Sequence, residues 1–188
     1  QKRQYERLAL GSLLPENVLN YQNKVNELQN QIKSSKIELS DDEQYAINQY
    51  VSSESYKINE ILRNDLDFTK QQEELMNNLD KVLDKMPNYH GVVQRSIMLD
   101  KEQIKKFLEL HQEGNVIKYK AYTSATAGNR YNDFSNVELL IKSTNGKDMR
   151  KYNKEEQEIL FKRNSKFKVI RKEKINDTYY IQMEEIDG

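Results

Sequence analysis

The chain has 188 residues and no cysteine, and its 30 Lys and Arg balance its 30 Asp and Glu. This length suits one domain with an added element, and the lack of cysteine excludes disulfides and thiolate chemistry. The balanced charge gives no overall field favouring nucleic acid, an anionic membrane or an acidic polymer. No apolar run approaches the roughly 20 residues of a membrane span. Since the start has neither an initiator methionine nor a hydrophobic signal core, we expect a missing upstream region.

The first predicted element is a helix, because apolar residues recur there at alternating steps of four and three. These residues are Leu14, Val18, Tyr21, Val25, Leu28 and Ile32. The stripe fits a helix packed on its own domain, and it also fits a coiled-coil or partner-binding helix, because the repeat is too short to decide. We expect residues 1–35 to form an N-terminal helical segment, either a linker or a docking helix, ahead of a main domain over 36–188.

More helices follow. Ser40 can cap a helix and Glu43, three residues later, can return the bond to complete a capping box. Farther on, apolar residues at helical spacing predict a helix packed in the core, and Pro87 ends it. The core residues of this helix are Leu75, Met76, Leu79, Val82, Leu83 and Met86.

After the proline, short apolar runs separated by turn residues predict strands. The first run is 91–99, and a short helix that Gly114 can end lies within 100–114. The other candidate strands are 116–126, 136–142, 158–163, 166–175 and 178–186, with loops or turns at 132–134 and 143–146. The short links between the last three strands predict an antiparallel meander. Helices followed by antiparallel strands predict an α+β fold.

Several common sites are missing from the sequence, including a glycine-rich phosphate loop, a His or Cys metal cluster and a GxSxG elbow. We therefore expect no metal. His90 and His111 stand alone, and isolated histidines in polar segments are expected at the surface, with no role as a base. The twelve tyrosines are scattered rather than interleaved with a basic stripe, which argues against nucleic acid as a partner.

A dispersed polar set remains on or beside the apolar strands: Arg95, Thr123, Ser124, Glu156 and Glu158. Taken singly, these residues also fit a solvated charge, turn hydroxyls and an acidic edge that protects a sticky strand. The two glutamates are two residues apart, so in an extended segment both carboxylates project from the same face. That spacing predicts two carboxylates facing one space.

In order along the chain, these residues resemble the arginine-serine-glutamate class of mono-ADP-ribosyltransferases, a class of bacterial toxins and phage-encoded exoenzymes. The matching motifs are "QRS" at 94–96, "YTSAT" at 122–126 and "EQE" at 156–158. The stretch 45–64 is similar to the family's opening helices, and 156–170 is similar to its usual ending. The resemblance covers about residues 36–187. It implies an α+β catalytic domain over 36–188, with N-terminal helices followed by a mostly antiparallel two-sheet β core.

The sequence departs from the family pattern at two positions. Ala125 stands where the family usually has serine, and Ser96 follows the arginine where glycine is frequent. The first change removes a hydroxyl that tunes activity in relatives. The alignment of this strand favours Ser124 as the motif serine and leaves Thr123 open as an alternative.

The resemblance implies an NAD-dependent transferase that moves ADP-ribose to a protein acceptor, through arginine, and releases nicotinamide. Glu158 would stabilise the cationic ribose, and Glu156 would face and deprotonate the acceptor guanidinium. Arg95 would hold the dinucleotide, and Ser124 would orient the catalytic carboxylate while also contributing, with Thr123, to NAD binding.

Two loops are expected to complete the site. The stretch 125–134 lies where the family has a loop that folds over NAD, with Tyr131 or Phe134 available to stack on a ring. The stretch 143–155 lies where relatives present the target, and Tyr152 is the aromatic residue placed to contact the acceptor. An ordinary flexible hairpin loop fits 143–155 equally well.

Two other functions fit the same sequence. An NAD glycohydrolase would use the same NAD site and pass the ribose to water. A binding or virion-assembly module would use the leading helix for docking and leave the transferase fold idle. The family resemblance favours a secreted or phage-delivered effector.

Overall fold

The computed structural model describes residues 16–128 and 134–187. Five α-helices are present in this part of the chain: α1 Glu16–Ser35, α2 Asp41–Gln49, α3 Ser55–Asn64, α4 Lys70–Lys85 and α5 Lys101–Leu110. A π-helical turn, Tyr50–Glu54, joins α2 to α3. The strands are β1 Asn88–Ile97, β2 Val116–Tyr119, β3 Thr123–Thr126, β4 Val137–Asp148, β5 Glu158–Phe161, β6 Ser165–Ile175 and β7 Thr178–Ile186.

Three helices begin with a capping box, in which a side-chain oxygen and a residue three positions later satisfy each other's backbone N–H groups. The predicted box at Ser40 and Glu43 is confirmed, with bonds of 3.2 and 3.0 Å. Thr69 starts α4 and Asp100 starts α5 in the same way. Helix α4 ends at Lys85, just before the predicted stop at Pro87.

The strands are hydrogen-bonded in the order β1-β3-β5-β4-β7-β6-β2, and β1 also pairs with β4. The strands β1, β3, β5 and β4 therefore close into a ring, from which the other three extend. All pairings are antiparallel except β4 with β7. The α+β class and the mostly antiparallel pairing are confirmed, and the ring joins the two expected sheets through continuous hydrogen bonds.

Three details of the predicted strands are wrong. β5 pairs with β3 and β4 instead of β6, so the last three strands form no meander. The predicted strand 116–126 is broken, and its two halves, β2 and β3, lie far apart in the sheet order. Residues 143–146 continue β4 rather than turning. Gly146 packs closely there, since a Cβ would lie 2.5 Å from Ser143 Oγ.

Two hydrophobic cores lie on opposite faces of β5. The sheet core contains Ile159 and Phe161 and is covered by α5, whereas the helical core contains Leu160 and the apolar face of α4. Five of the six predicted core residues of α4 and its end are buried in the helical core, and Leu75 packs at its edge. Alternate side chains of β5 thus anchor it from both sides, which fixes where Glu158, its first residue, lies.

Helix α1 packs on the domain through polar side chains. Asn26 Nδ2 donates to the backbone oxygen of His90 at 3.0 Å, and Asn30 Nδ2 donates to Asp148 Oδ2 at 3.0 Å. The predicted apolar stripe faces away, with Tyr21, Leu28 and Ile32 exposed by 70%, 51% and 58%. The side chains of Leu14 and Val18 lie outside the described residues. In the described part of the chain, no helix has the length and apolarity that a membrane crossing requires.

Candidate active site

The pairing of β3 with β5 brings the predicted serine and glutamate together. Thr126 lies opposite Glu158 in the register, so Ser124, two residues back along β3, shares its face with that pair. Ser124 Oγ donates a hydrogen bond to Glu158 Oε2 at 2.6 Å, a length typical of a hydroxyl bonded to a carboxylate. Thr123 lies on the other face, buried, and its hydroxyl donates to the backbone oxygen of Ala121 at 3.3 Å. Of the two candidates, Ser124 is the one that contacts the glutamate.

Arg95, on β1, reaches the same strand. Its Nη1 donates to the backbone oxygen of Ser124 at 2.9 Å, so one β3 residue links the arginine and the glutamate. Burial lowers the pKa of Arg95, and the neighbouring positive charge of Arg63 lowers it further. A guanidinium stays protonated despite such shifts, so the site holds a partly buried positive charge beside a buried carboxyl group.

Glu158 is only 6% exposed. Burial raises its pKa, and this effect outweighs hydrogen bonds from Ser124 and Asn153, which act in the opposite direction. The charge of Glu156 also raises this pKa, while Arg95 lowers it. Asn153 was not predicted, because it lies in the loop before the strand and no pattern marks it as a partner of the glutamate.

Glu156 lies in a turn and not in the strand. Gln157 has a φ of +48°, and β5 begins only at Glu158, so the prediction that strand alternation places both carboxylates on one face is wrong. The exposed Glu156 is held through its backbone oxygen, which accepts a hydrogen bond from Thr126 Oγ1 at 2.8 Å. A left-handed residue between the glutamates, rather than an extended backbone, sets their relative positions.

A cavity of about 470 Å³ opens beside Ser124 and Arg95. Its walls come from α3, α5, β1, β2 and β3, and they include Asn59 and Arg63, which the sequence analysis did not assign to the site. These two residues are four apart on α3 and therefore share a helical face. The four-residue spacing of Asn59 and Arg63 in "NEILR" is the sequence signal that could have predicted their place in the site. The cavity thus receives two guanidinium groups, one from a helix and one from a strand.

Asn59 connects the helices to β3. Its side-chain oxygen accepts from the backbone N–H of Tyr122 at 3.1 Å, and its Nδ2 donates to Tyr50 Oη at 3.0 Å. Tyr50 is the first residue of the π-helical turn, and burial raises its pKa to about 12. Such turns are frequent at functional sites. The turn at 50–54 orients α3 so that the polar face of α3 contacts the start of β3, the strand that carries Ser124.

The two departures from the family pattern have structural consequences. Ser96 Oγ donates to Glu138 Oε2 at 2.7 Å, and Glu138 is fully buried. The hydroxyl thus helps to satisfy an interior carboxyl group. Ala125 is buried in the sheet core between larger apolar side chains, on the face of β3 opposite Ser124.

His111 is not a surface residue, contrary to the prediction. It is 2% exposed, its ring stacks on Phe107, and Nε2 lies 2.6 Å from Tyr119 Oη. Burial lowers its pKa to about 4, because the charged ring loses hydration. The neutral ring is a wall of the cavity. His90 is exposed, as predicted.

Of the three aromatic residues predicted to contact NAD or the acceptor, two lie in the described part of the chain. Phe134 is 84% exposed, and Tyr131 lies outside the described residues. Tyr152 is half-buried against the helical core, and burial raises its pKa. No set of three or more His, Cys, Asp or Glu residues suited to a metal ion occurs within 16–128 and 134–187.

The helices, the strand ring and the arrangement of Arg95, Ser124 and Glu158 agree with the fold and the motif order predicted for the ADP-ribosyltransferase family. The model of the ADP-ribosyltransferase exoenzyme family matches residues 22–187, and the chain belongs to that family. The predicted family and the predicted fold are confirmed.

A named relative supports this family assignment. The chain is 28% identical over 152 residues to the NAD(+)--protein-arginine ADP-ribosyltransferase Tre1 of Serratia proteamaculans, a match that covers 79% of this chain and 33% of the relative. The chain thus spans about a third of the length of that relative.

Solved structures share the fold at low sequence identity. The Clostridium limosum C3 exoenzyme has a TM-score of 0.69 at 16% identity, covering 87% of this chain and 94% of the other. Exoenzyme S of Pseudomonas aeruginosa, solved with human 14-3-3 protein beta and Carba-NAD, has a TM-score of 0.66 at 14% identity, covering 98% and 89%.

Proposed function

We propose that the chain transfers ADP-ribose from NAD to an arginine side chain of a protein, with release of nicotinamide. The observation that carries the proposal is the hydrogen bond from Ser124 to the buried Glu158, beside a cavity that two arginines line. A toxin-like family supports the further proposal of a secreted or phage-delivered effector. The division of the chain at residue 35 stays a prediction.

NAD carries two phosphate groups, and Arg95 and Arg63 line the cavity where they can bind these phosphates. Guanidinium groups suit phosphates because their planar fork donates two parallel hydrogen bonds. Arg95 is already oriented by the carbonyl of Ser124, so little side-chain freedom is lost on binding. This site needs no glycine-rich loop, in agreement with the sequence.

Glu158 is the group proposed to promote cleavage of the bond between ribose and nicotinamide. That bond breaks with its electron pair leaving on nicotinamide, which becomes neutral, while C1′ of the ribose gains oxocarbenium character, as in glycoside hydrolysis. A fixed carboxylate beside the ribose stabilises the developing positive charge. Ser124 holds the carboxylate in one orientation, so no rearrangement is needed at the moment of reaction.

Glu156 is the group proposed to handle the acceptor. An arginine guanidinium is protonated at neutral pH and is a poor nucleophile. A carboxylate can hold it by paired hydrogen bonds and take its proton as the nitrogen attacks C1′. The new bond joins that nitrogen to C1′, and the proton passes to Glu156. The exposure of this carboxylate supports the role, since a protein acceptor must reach it from outside. The arginine specificity in the printed name of the Serratia relative is consistent with it.

The experiment is incubation with NAD, with and without agmatine as a guanidinium acceptor, while nicotinamide and acceptor mass are measured together. Labelled agmatine is the expected result. Nicotinamide release with no labelled agmatine would favour water as the acceptor, and no reaction would favour an idle or partner-dependent domain.

A further inference from the structure

The loop that carries Glu156 is tied to α1 by three polar contacts. Asn30 Nδ2 donates to Asp148 Oδ2 at 3.0 Å, and Arg150 Nη1 donates to Glu27 Oε1 at 3.1 Å. Lys151 Nζ donates to the backbone oxygen of Ser34 at 3.1 Å. These contacts are here called the α1 latch, and they join segments more than a hundred residues apart in sequence.

Asp148 is the centre of the latch. One of its carboxylate oxygens accepts from Arg150 N and Nε at 3.1 and 2.9 Å, and the other accepts from Arg150 Nη2 at 2.7 Å and from Asn30. Asp148 and Asn30 are each only 4% exposed. Burial alone would raise the pKa of Asp148, but the hydrogen bonds from Arg150 and Asn30 lower it. A buried carboxylate with four donors is fixed in place.

The latch lies where the chain leaves the sheet. Asp148 is the last residue of β4 and pairs with Ile159, next to Glu158. The backbone N–H of Met149 donates to the carbonyl of Glu158 at 3.0 Å, so the loop 149–157 starts and ends at one point of the sheet. Its returning half is held by β3, through Thr126. Its departing half is held by α1 and also by Met149 and Tyr152, which pack in and against the helical core.

The latch is separate from both hydrophobic cores. Neither core contains Glu27, Asn30 or Arg150, and the apolar stripe of α1 is exposed. A polar groove of about 460 Å³ runs between α1 and the loop. Among the described residues, the helix is held by hydrogen bonds and ion pairs, of which the exposed ones are of small net worth and the buried bond from Asn30 to Asp148 is worth more. Losing that bond removes a contact to the start of the loop and leaves both apolar cores intact.

We propose that α1 is a positioning element for the acceptor step, with Asn30 as its key residue. The latch sets where Glu156 lies relative to Glu158 and so sets the ratio of arginine transfer to NAD hydrolysis. The inference rests on the proposed function, because the ratio has meaning only if an arginine acceptor competes with water. Glu158 is held by β5 and Ser124, and only the hydrogen bond from Asn153 links its carboxyl group to the loop, so we expect the latch to act more on Glu156 than on Glu158.

The test compares Asn30→Ala with Gln29→Ala, a substitution at an exposed neighbour on the same helix. Nicotinamide release and agmatine labelling are measured in the whole chain. We expect the efficiency of agmatine labelling to fall by about tenfold or more in Asn30→Ala, since small displacements of reacting groups have effects of this order. Hydrolysis should fall clearly less than labelling, because Asn153 is the loop residue that bonds the Glu158 carboxyl group, and Gln29→Ala should change neither activity.

Trypsin supplies a second measurement that needs no activity, since the loop contains Arg150, Lys151 and Lys154. We expect faster cleavage there in Asn30→Ala than in Gln29→Ala. Glu27→Ala, at a half-exposed side chain, serves as a milder variant should the first one fold poorly.

Three results would count against the positioning role, the hold of the latch on the loop, and the proposed function, respectively. An active wild type whose Asn30→Ala variant keeps the ratio of labelling to hydrolysis would overturn the positioning role, even with a lower melting temperature. Unchanged trypsin cleavage would show that the latch does not hold the loop. A wild type inert toward both NAD and agmatine would instead count against the proposed function.

Discussion

The two glutamates of the site lie in contrasting surroundings. Glu158 begins a strand whose next three side chains are buried in two cores, and it is itself almost inaccessible. Glu156, two residues earlier, is exposed in a turn that side chains of β3 and α1 hold from two ends. The group proposed to act on NAD is thus built into the interior, and the group proposed to meet the acceptor sits on a surface loop. This division is common in enzymes, because rigid elements fix geometry and loops vary with the target.

The largest effect is expected from Glu158→Gln, which keeps the shape and removes the charge. Nicotinamide release with and without agmatine should fall by at least about 10²–10³-fold, because both reactions use the same cationic ribose. The measurement is release of nicotinamide at saturating NAD, with circular dichroism to confirm the fold. Turnover close to wild type would remove Glu158 from the mechanism.

Glu156→Gln should separate the two reactions. Agmatine labelling should fall by about 10²-fold, a typical effect of losing a general base, while hydrolysis should continue, because water needs no carboxylate to orient a guanidinium. Glu155→Gln, in the same exposed turn, is the matched control and should keep both activities. Equal loss of both activities in Glu156→Gln would contradict the division of roles.

Ser124→Ala should lower both activities by about tenfold, because one hydrogen bond to a charged group is worth roughly 1.5–3 kcal/mol. Thr123→Val is the comparison, since its hydroxyl contacts only the backbone of Ala121 among the hydrogen bonds of the described residues. The variant should keep near wild-type activity. A larger loss at Thr123 than at Ser124 would reverse the assignment of the motif hydroxyl.

The smallest effect concerns stability. Because burial raises the pKa of Glu158, its charged form is disfavoured in the folded state. A carboxyl group with a raised pKa stabilises the fold at low pH and loses that contribution as the pH rises through the folded-state value. At pH 7.5 Glu158→Gln should therefore melt slightly above wild type, whereas Glu156→Gln, which removes only the repulsion between the two carboxylates, should gain less.

Differential scanning calorimetry of both variants at pH 7.5 and at pH 5 checks this expectation. The advantage of Glu158→Gln over wild type should shrink at the lower pH. A melting temperature below wild type at both values would mean that the charged carboxylate supports the fold.

Much of the fold follows from local signals in the sequence. The capping box at Ser40 predicted the start of α2, the helical spacing of apolar residues predicted α4, and β7 occupies the predicted range. Where prediction failed, the local signal was ambiguous. The alternating run 116–126 is broken near Lys120, because its two halves pair with different partners, β6 and β5.

The residues of the candidate site also fall into those that the sequence predicted and those that it did not. The order of the motifs identified Arg95, Ser124 and the two glutamates, since residue type and order survive without knowledge of the structure. Arg63, Asn59 and Asn153 were not found, because they lie on elements that meet the site only after folding. The turn at Gln157 was also missed, since no glycine marks its positive φ.

The sequence by itself determined the α+β class and the helix starts, because these depend on local spacing and composition, and the order of its motifs determined the family through a resemblance. Only the tertiary structure decided that Ser124 rather than Thr123 contacts Glu158, that a turn brings Glu156 beside it, and that α1 docks through its asparagines. Those outcomes depend on strand pairing and on polar partners far apart in the chain. Such contacts become favourable only when the interior that positions both partners has formed.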